Sequence, residues 1–249
     1  MADEVILGGG VINAGVVVRV GDTIRRPRVA GSDVVEALLV HLERVGFAGA
    51  PRFLGLDDQG RQVLQFIEGD VSARPAWQSD DRQNAAHLGR VAGLVRDLHA
   101  ATETFVPPPS AEPQRALPVE GPVWTHGDVG YPNVVYVDES PQALIDWEFA
   151  APADHRVDLG AILAMSTRGP RPDASDPERR RDATKMAFDA IALGYGLGES
   201  ERAGLPDVAA AVLDDAVGFW VSRGAAAEHL ARMSWRAEWF RANVSPLVS

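Results

Sequence analysis

A chain of 249 residues, 46% of them hydrophobic, has enough apolar material for a sizeable core, either as one large domain or as two small lobes sharing a cleft. It contains no cysteine, which excludes a disulfide framework and a thiolate metal site. Its formal charge of −11 argues against nucleic acid as a partner, because phosphate backbones select basic surfaces.

No apolar run approaches the roughly 18 residues of a membrane span. The opening MADEVILGGG lacks the basic region and long apolar stretch of a signal peptide. A cytoplasmic chain with no membrane partner is expected.

Residues 7–15 are rich in glycine and read as a turn joining two strands, the second at 16–20. Glycine tolerates positive φ and lets backbone N–H groups come close to phosphate oxygens, so Gly9, Gly10 and Asn13 are candidates for a phosphate-covering loop. A plain hairpin turn is the alternative. Gly21-Asp22 makes the next turn, and 23–27 is a third strand. Strand alternation sends Arg25 and Arg26 to opposite faces, so only one of them enters a cleft; Arg26 is favoured. A helix follows from Ser32-Asp33, with Val34, Val35, Leu38, Leu39 and Leu42 at helical spacing. Glu36 on that helix is a candidate acidic partner for the strand-three cation, or else a solvated surface acid. Strands at 51–55 and 63–67 flank a turn at 57–60.

Residues 80–101 form a clear amphipathic helix, striped by Leu88, Val91, Leu94, Val95 and Leu98. Residues 106–122 hold six prolines and are expected as an extended connection. Later helices are expected at 158–165, 177–193, 206–223 and 225–242, with breaks at 168–172 and Gly224. Trp220, Trp235, Trp239 and Phe240 are expected in or near the core between them, with a ring on a cationic substrate as the alternative.

The richest stretch is 123–148, VWTHGDVGYPNVVYVDESPQALIDWE. Residues 134–137 and 142–145 read as strands, and 138–141 as the turn between them. Antiparallel pairing folds the end of the second strand back beside the start of the first, so Asn133 meets Asp146. A carboxylate and an amide oxygen side by side suit a hard cation such as magnesium, which leaves room for substrate phosphates. Asp128 lies on the preceding loop as a candidate base.

His126-Gly127-Asp128 followed by Asn133, then Ile145-Asp146-Trp147-Glu148, resembles the aminoglycoside phosphotransferase and choline kinase superfamily, itself similar to protein kinases. The interval from Asp128 to Asn133 matches the kinase D-x-x-x-x-N. Asp158-Leu159 and Leu98-His99 also stand where that family has such pairs. The resemblance implies an α+β, bilobal protein-kinase-like fold. Its N-lobe (1–67) would be a small antiparallel sheet with one helix, and its C-lobe (68–249) larger and mostly helical. It implies transfer of the γ-phosphate of ATP or GTP to a small-molecule hydroxyl, with Mg2+ as cofactor. Asp128 would be the catalytic base, with Asn133 and Asp146 holding metal. Gln65 and Ile67 would belong to the hinge that meets the base. Glu148 would touch metal or a substrate amine, or be a surface acid; His126, His99 and Asp158 would brace the structure.

Kinases carry a lysine on strand three. Here the single lysine, Lys185, is far away against 23 arginines, so Arg25 or Arg26 must serve, with Arg26 favoured. Residues 1–67 carry a net −1 and the remainder −10. An acidic second lobe favours cationic acceptors such as aminoglycoside-like antibiotics or amino alcohols, although ordinary solubility charge accounts for it equally well. A kinase-like binding or immunity protein with little turnover is the second reading, motivated by the arginine. Acceptor identity and oligomeric state stay open at the level of sequence.

Overall fold

A computed structural model describes residues 4–7, 17–71, 80–166 and 177–248. Five short strands, β1 (Val5–Ile6), β2 (Val18–Val20), β3 (Thr23–Arg26), β4 (Phe53–Leu56) and β5 (Gln62–Gln65), form one antiparallel sheet in the order β1-β2-β3-β5-β4. Opposite Arg26 stands Gln62 on β5. Pleating buries the Arg26 side chain and sends Arg25 to the other face, toward Asp57. The last strand was expected to reach 67 but ends at Gln65. Phe66 N–H still reaches the Asp22 carbonyl at 2.9 Å, after which the chain crosses to a bridge between Asp70 and Tyr136. Helix α1 (Ser32–Arg44) lays Val34, Leu38 and Leu42 into the core.

Helix α2 (Asp81–Thr102) begins where Asp80 caps it, its carboxylate accepting from the Arg82 and Gln83 N–H groups at 2.9 Å. The proline-rich connection has no regular element until β6 (Val123–Thr125). Hairpin β7 (Val134–Val137) and β8 (Ser140–Leu144) follows, and β9 (Ala151–Ala153) pairs back on β6. Four helices complete the chain: α3 (Arg156–Ser166), α4 (Pro177–Tyr195), α5 (Glu199–Ser222) and α6 (Ala227–Val248). One apolar core runs continuously from α1 and β5 through α2, α3 and α4 to α6. The result is an α+β molecule, an antiparallel sheet with one helix set on a helical lobe.

Several expected boundaries shift, each for a local reason. Helix α3 starts at Arg156 rather than 158, because the Asp154 carboxylate caps the Arg156 N–H at 2.8 Å. Helix α5 begins at Glu199, seven residues before Pro206, with Glu201 accepting the Gly198 N–H at 2.9 Å. Proline inside a helix costs ~3 kcal/mol. Burial of Leu205, Ala209 and Leu213 around it offsets that cost. Helix α6 runs past 242 to Val248. Of the four late aromatics only Phe240 is fully buried; Trp220 and Trp235 are half-buried, and the core tryptophans are Trp124 and Trp147.

Helices α2 and α4 touch backbone to backbone. A Cβ on Gly194 would stand 2.0 Å from the Gly89 carbonyl oxygen, whereas one on Gly93 would meet only the Gly194 oxygen at 3.6 Å. Gly194→Ala is therefore expected to lower stability by ~1–3 kcal/mol through overpacking. Gly93→Ala should raise it by ~0.5–1 kcal/mol through its lower chain entropy. Urea unfolding of both variants checks the opposite signs.

Candidate active site

The loop after β6 is fixed before it carries any chemistry. The N–H groups of His126 and Gly127 both donate to the Asp158 carboxylate at 2.8 Å, and His99 Nε2–H donates to it at 3.0 Å. His99 is held in turn by the Tyr195 hydroxyl, 2.9 Å from Nδ1. Asp158 is fully buried. Burial opposes its charge, but the His99 hydrogen bond, the nearby imidazoles and the His126 N–H outweigh it and hold the carboxyl below its ordinary value. The His126 ring donates through Nε2 to the Ile145 carbonyl at 2.9 Å and accepts the Asp128 N–H at Nδ1, 3.3 Å away. Both histidines thus brace the structure. Gly127 has φ +80°, and a Cβ there would lie 2.3 Å from the Phe149 carbonyl oxygen, so glycine is required twice over.

Asp128 is half-buried. Asn133, at the end of a 3-10 turn (Tyr131–Asn133), donates from Nδ2 to both the carboxylate and the carbonyl of Asp128 at 2.8 Å. Hairpin register then does what the sequence requires of it. Val134 pairs with Leu144, and the Asn133 carbonyl accepts the Ile145 N–H at 2.9 Å, which brings Asp146 beside Asn133. The turn is shorter than expected. Only Asp138 and Glu139 turn, both with positive φ (47° and 60°), the two-residue geometry that suits strand twist.

An ordinary pKa for Asp128 suffices in sequence terms, but the structure raises it. Burial is the main cause and the charges of Asp146 and Asp158 add to it, against the lowering influence of His126 and the Asn133 hydrogen bond.

Asp146 adopts a left-handed backbone (φ 65°, ψ 61°), and its carboxylate is 36% exposed. Arg26 forks across it: Nη1 lies 3.1 Å from Asp146 and Nη2 3.1 Å from Glu148, whose side chain is 3% exposed. Glu148 is therefore a buried counter-ion to the strand-three cation, not a surface acid. Glu36, expected in that role, instead binds Arg28 through two hydrogen bonds (2.8 and 3.1 Å) and accepts from Gln62 Nε2 at 2.9 Å. Arg28, just beyond the end of β3, takes the place of Arg26 as its cation.

Gln65 is exposed, with its N–H bonded to the Arg52 carbonyl; Ile67 is half-buried. Gly9, Gly10 and Asn13 lie outside the described residues. Among the described residues no group of three or more His, Asp or Glu side chains is arranged to hold a metal ion. The donor set at Asn133 and Asp146 is thus no closed cage. Two oxygens with open space fit magnesium held jointly with a nucleotide's phosphates.

One functional neighbour was invisible in the sequence. Arg115, in the proline-rich connection, is near enough to Asp128 for that carboxylate to act on its charge. No spacing rule links the two.

Sheet, helical lobe and the loop-and-hairpin site together define a kinase-like fold. It superposes on the GDP complex of aminoglycoside 2'-phosphotransferase-IIIa with a TM-score of 0.64 at 13% identity, covering 97% of this chain and 93% of that one. Amicoumacin kinase in complex with AMP-PNP, Ca2+ and its ligand gives 0.64 at 11% identity over 98% and 88%. Residues 110–192 match the phosphotransferase enzyme family (APH). The trifolitoxin immunity protein of Rhizobium leguminosarum bv. trifolii is 32% identical over 215 residues, 83% of this chain and 79% of that protein. The chain belongs to this phosphotransferase family.

A raised pKa means the native state binds the Asp128 proton more tightly than the unfolded chain does. Its contribution to stability is therefore fullest below 3.8 and declines as pH rises through the native value. Asp128→Asn is expected to melt higher than the parent at pH 7, with the gap closing as pH is lowered toward 3.8; melting curves across pH 3–8 test it.

Proposed function

We propose that this chain transfers the γ-phosphoryl group of ATP or GTP to a hydroxyl of a small molecule. The reading rests above all on the hairpin register that brings Asp128, Asn133 and Asp146 to one place under the Asp158 anchor. Asp128 accepts the hydroxyl proton as the acceptor oxygen bonds to phosphorus. The bond from phosphorus to the bridging oxygen breaks, and its electron pair leaves with the nucleoside diphosphate. Catalysis of this kind is mainly positioning and charge neutralisation. Asn133 and Asp146 hold Mg2+, which when bound supplies part of that neutralisation.

Nucleotide would lie between a lobe of residues 1–67 and one of 68–249, with its base held by the backbone of Gln65–Ile67. Arg26 keeps buried Glu148 as its counter-charge and exchanges Asp146 for phosphate oxygens. The complexes of related folds with GDP and with AMP-PNP and Ca2+ support a nucleotide cosubstrate.

Two observations favour a second reading, a kinase-like immunity factor that binds without turnover. A relative is a toxin immunity protein, and the Arg26 guanidinium occupies the Asp146 carboxylate. Nucleoside diphosphate release with ATP or GTP and magnesium, across aminoglycosides, amino alcohols, sugars and hydroxy acids, separates the two: turnover with any acceptor excludes the pure binder. Asp128→Ala is expected to lower turnover by ~10²–10⁴-fold with nucleotide affinity retained; full activity in that variant refutes the assignment. Asp146→Ala should instead weaken magnesium-dependent nucleotide binding, read by calorimetry with and without the ion.

A further inference from the structure

A cavity of about 380 Å³ lies between the connection that precedes β6 and the C-terminal part of α5. Gln114, Arg115, Asp215, Phe219 and Arg223 line it. Its relation to the proposed reacting groups runs through Phe149. The Arg115 guanidinium lies 5.5 Å from the Phe149 ring and 5.1 Å from that of Phe219, and the two rings meet edge to face at 5.3 Å. The Phe149 carbonyl is the atom against which Gly127 packs, next to Asp128. Phe149 thus stands between the two: its ring meets the lining residues Arg115 and Phe219, and its carbonyl packs on the base loop at Gly127.

Its charge is opposite to that of the molecule. The chain carries −11, yet the lining has two guanidiniums and one carboxylate. Arg115 is paired with Asp215. Arg223, exposed at the end of α5, stands 4.3 Å from the Phe219 ring and forms no ion pair among the described residues. Burial disfavours the Arg115 charge and Arg223 adds to this, with Asp128 opposing. Two guanidiniums stand against one aromatic ring and, among the described residues, only Arg115 has a counter-ion there, an arrangement that one more anion completes. The Phe219 ring offers an apolar face, and the buried Gln114 Oε1 has no hydrogen-bond partner, so it calls for a donor.

We propose that this cavity receives the phosphate acceptor, and that the acceptor is a hydroxyl-bearing carboxylate with an apolar body, not a polycation. Its carboxylate meets Arg223 and Arg115, its apolar part covers Phe219, and an O–H or N–H donates to Gln114. Ammonium groups of an aminoglycoside would instead face two guanidiniums. The proposal rests on the phosphotransfer reading for the fate of the hydroxyl, which gives its proton to Asp128 and gains the γ-phosphoryl group of ATP or GTP. The specificity of the cavity is tested without any turnover.

The probes are N-benzoyl-serine, N-benzoyl-threonine and phenyllactate, each beside its carboxamide. They are titrated calorimetrically into the full chain with ADP and magnesium, where no transfer occurs. At least one acid is expected to bind about tenfold or more tightly than its amide, the size of one charge-assisted contact. Arg223→Gln should erase that difference; the side chain is exposed, so an unchanged melting temperature shows the fold intact. Equal binding of acid and amide in all three pairs, no binding by any acid, or a preference that survives Arg223→Gln overturns the proposal. Phosphorylation of aminoglycosides at a rate indifferent to Arg223→Gln also overturns it and leaves the phosphotransferase reading standing. Selective acid binding without phosphorylation when ATP replaces ADP supports the cavity's specificity and counts against phosphotransfer.

Discussion

A carboxylate taken out of water is stable as an anion only where donors replace the solvent it lost. Asp158 meets that condition with three N–H groups: two from the backbone of the loop it holds, and one from His99, itself tied to Tyr195. The donors come from α2, the loop after β6 and, through Tyr195, α4, so the anchor closes only when these elements are packed. Asp128, the residue after the held backbone, has a different fate. It has one side-chain donor and two acidic neighbours, and its proton is held more tightly than usual. One carboxylate is pushed down and the other up by their surroundings, a division that separates structural from reactive acids.

Arg26 is the constraint between sheet and helical lobe. Its β3 position is fixed by register with β5, and its two nitrogens end on residues 120 and 122 positions later in the chain. An ammonium is a point charge, whereas a guanidinium fork spans two carboxylates at once. That planarity explains how one residue serves both Asp146 and Glu148. It also explains why Glu36 is released to bind Arg28 and Gln62. The two acids differ in freedom: Glu148 is closed off, and Asp146 is open on one side. A cation arriving there has one carboxylate to share and not two.

What the sequence made legible was local. Residues 126–146 lie within one loop and one hairpin, so alternation, turn chemistry and strand pairing place Asn133 beside Asp146 without knowledge of the rest. The helix expected over 80–101 and the apolar stripe on it are of the same kind. Pro206 misled because a helix start and a buried helix interior look alike when the packing partner, here Gly160 and its neighbours on α3, is unknown. Glu148 and Arg115 were out of reach for a stronger reason. Glu148 meets Arg26 from 122 positions away and Arg115 is paired with Asp215 on α5, and no periodicity encodes such meetings.

The cation beside Asp128 bears on the chemistry as well as on recognition. A base whose pKa is raised by burial and by acidic neighbours is a better proton acceptor but a less stable anion. An anionic acceptor arriving next to it would push the proton affinity higher still and favour the protonated, inactive form. Arg115, already within electrostatic reach of Asp128, counters that push, and Arg223 takes up the acceptor's own charge farther out. A cationic acceptor would need neither arginine and would be repelled by both. In the proposed reaction the two guanidiniums would reconcile an acidic loop at Asp128 with an acidic acceptor, and in a chain of net −11 such a local reversal of sign has to be built from specific residues.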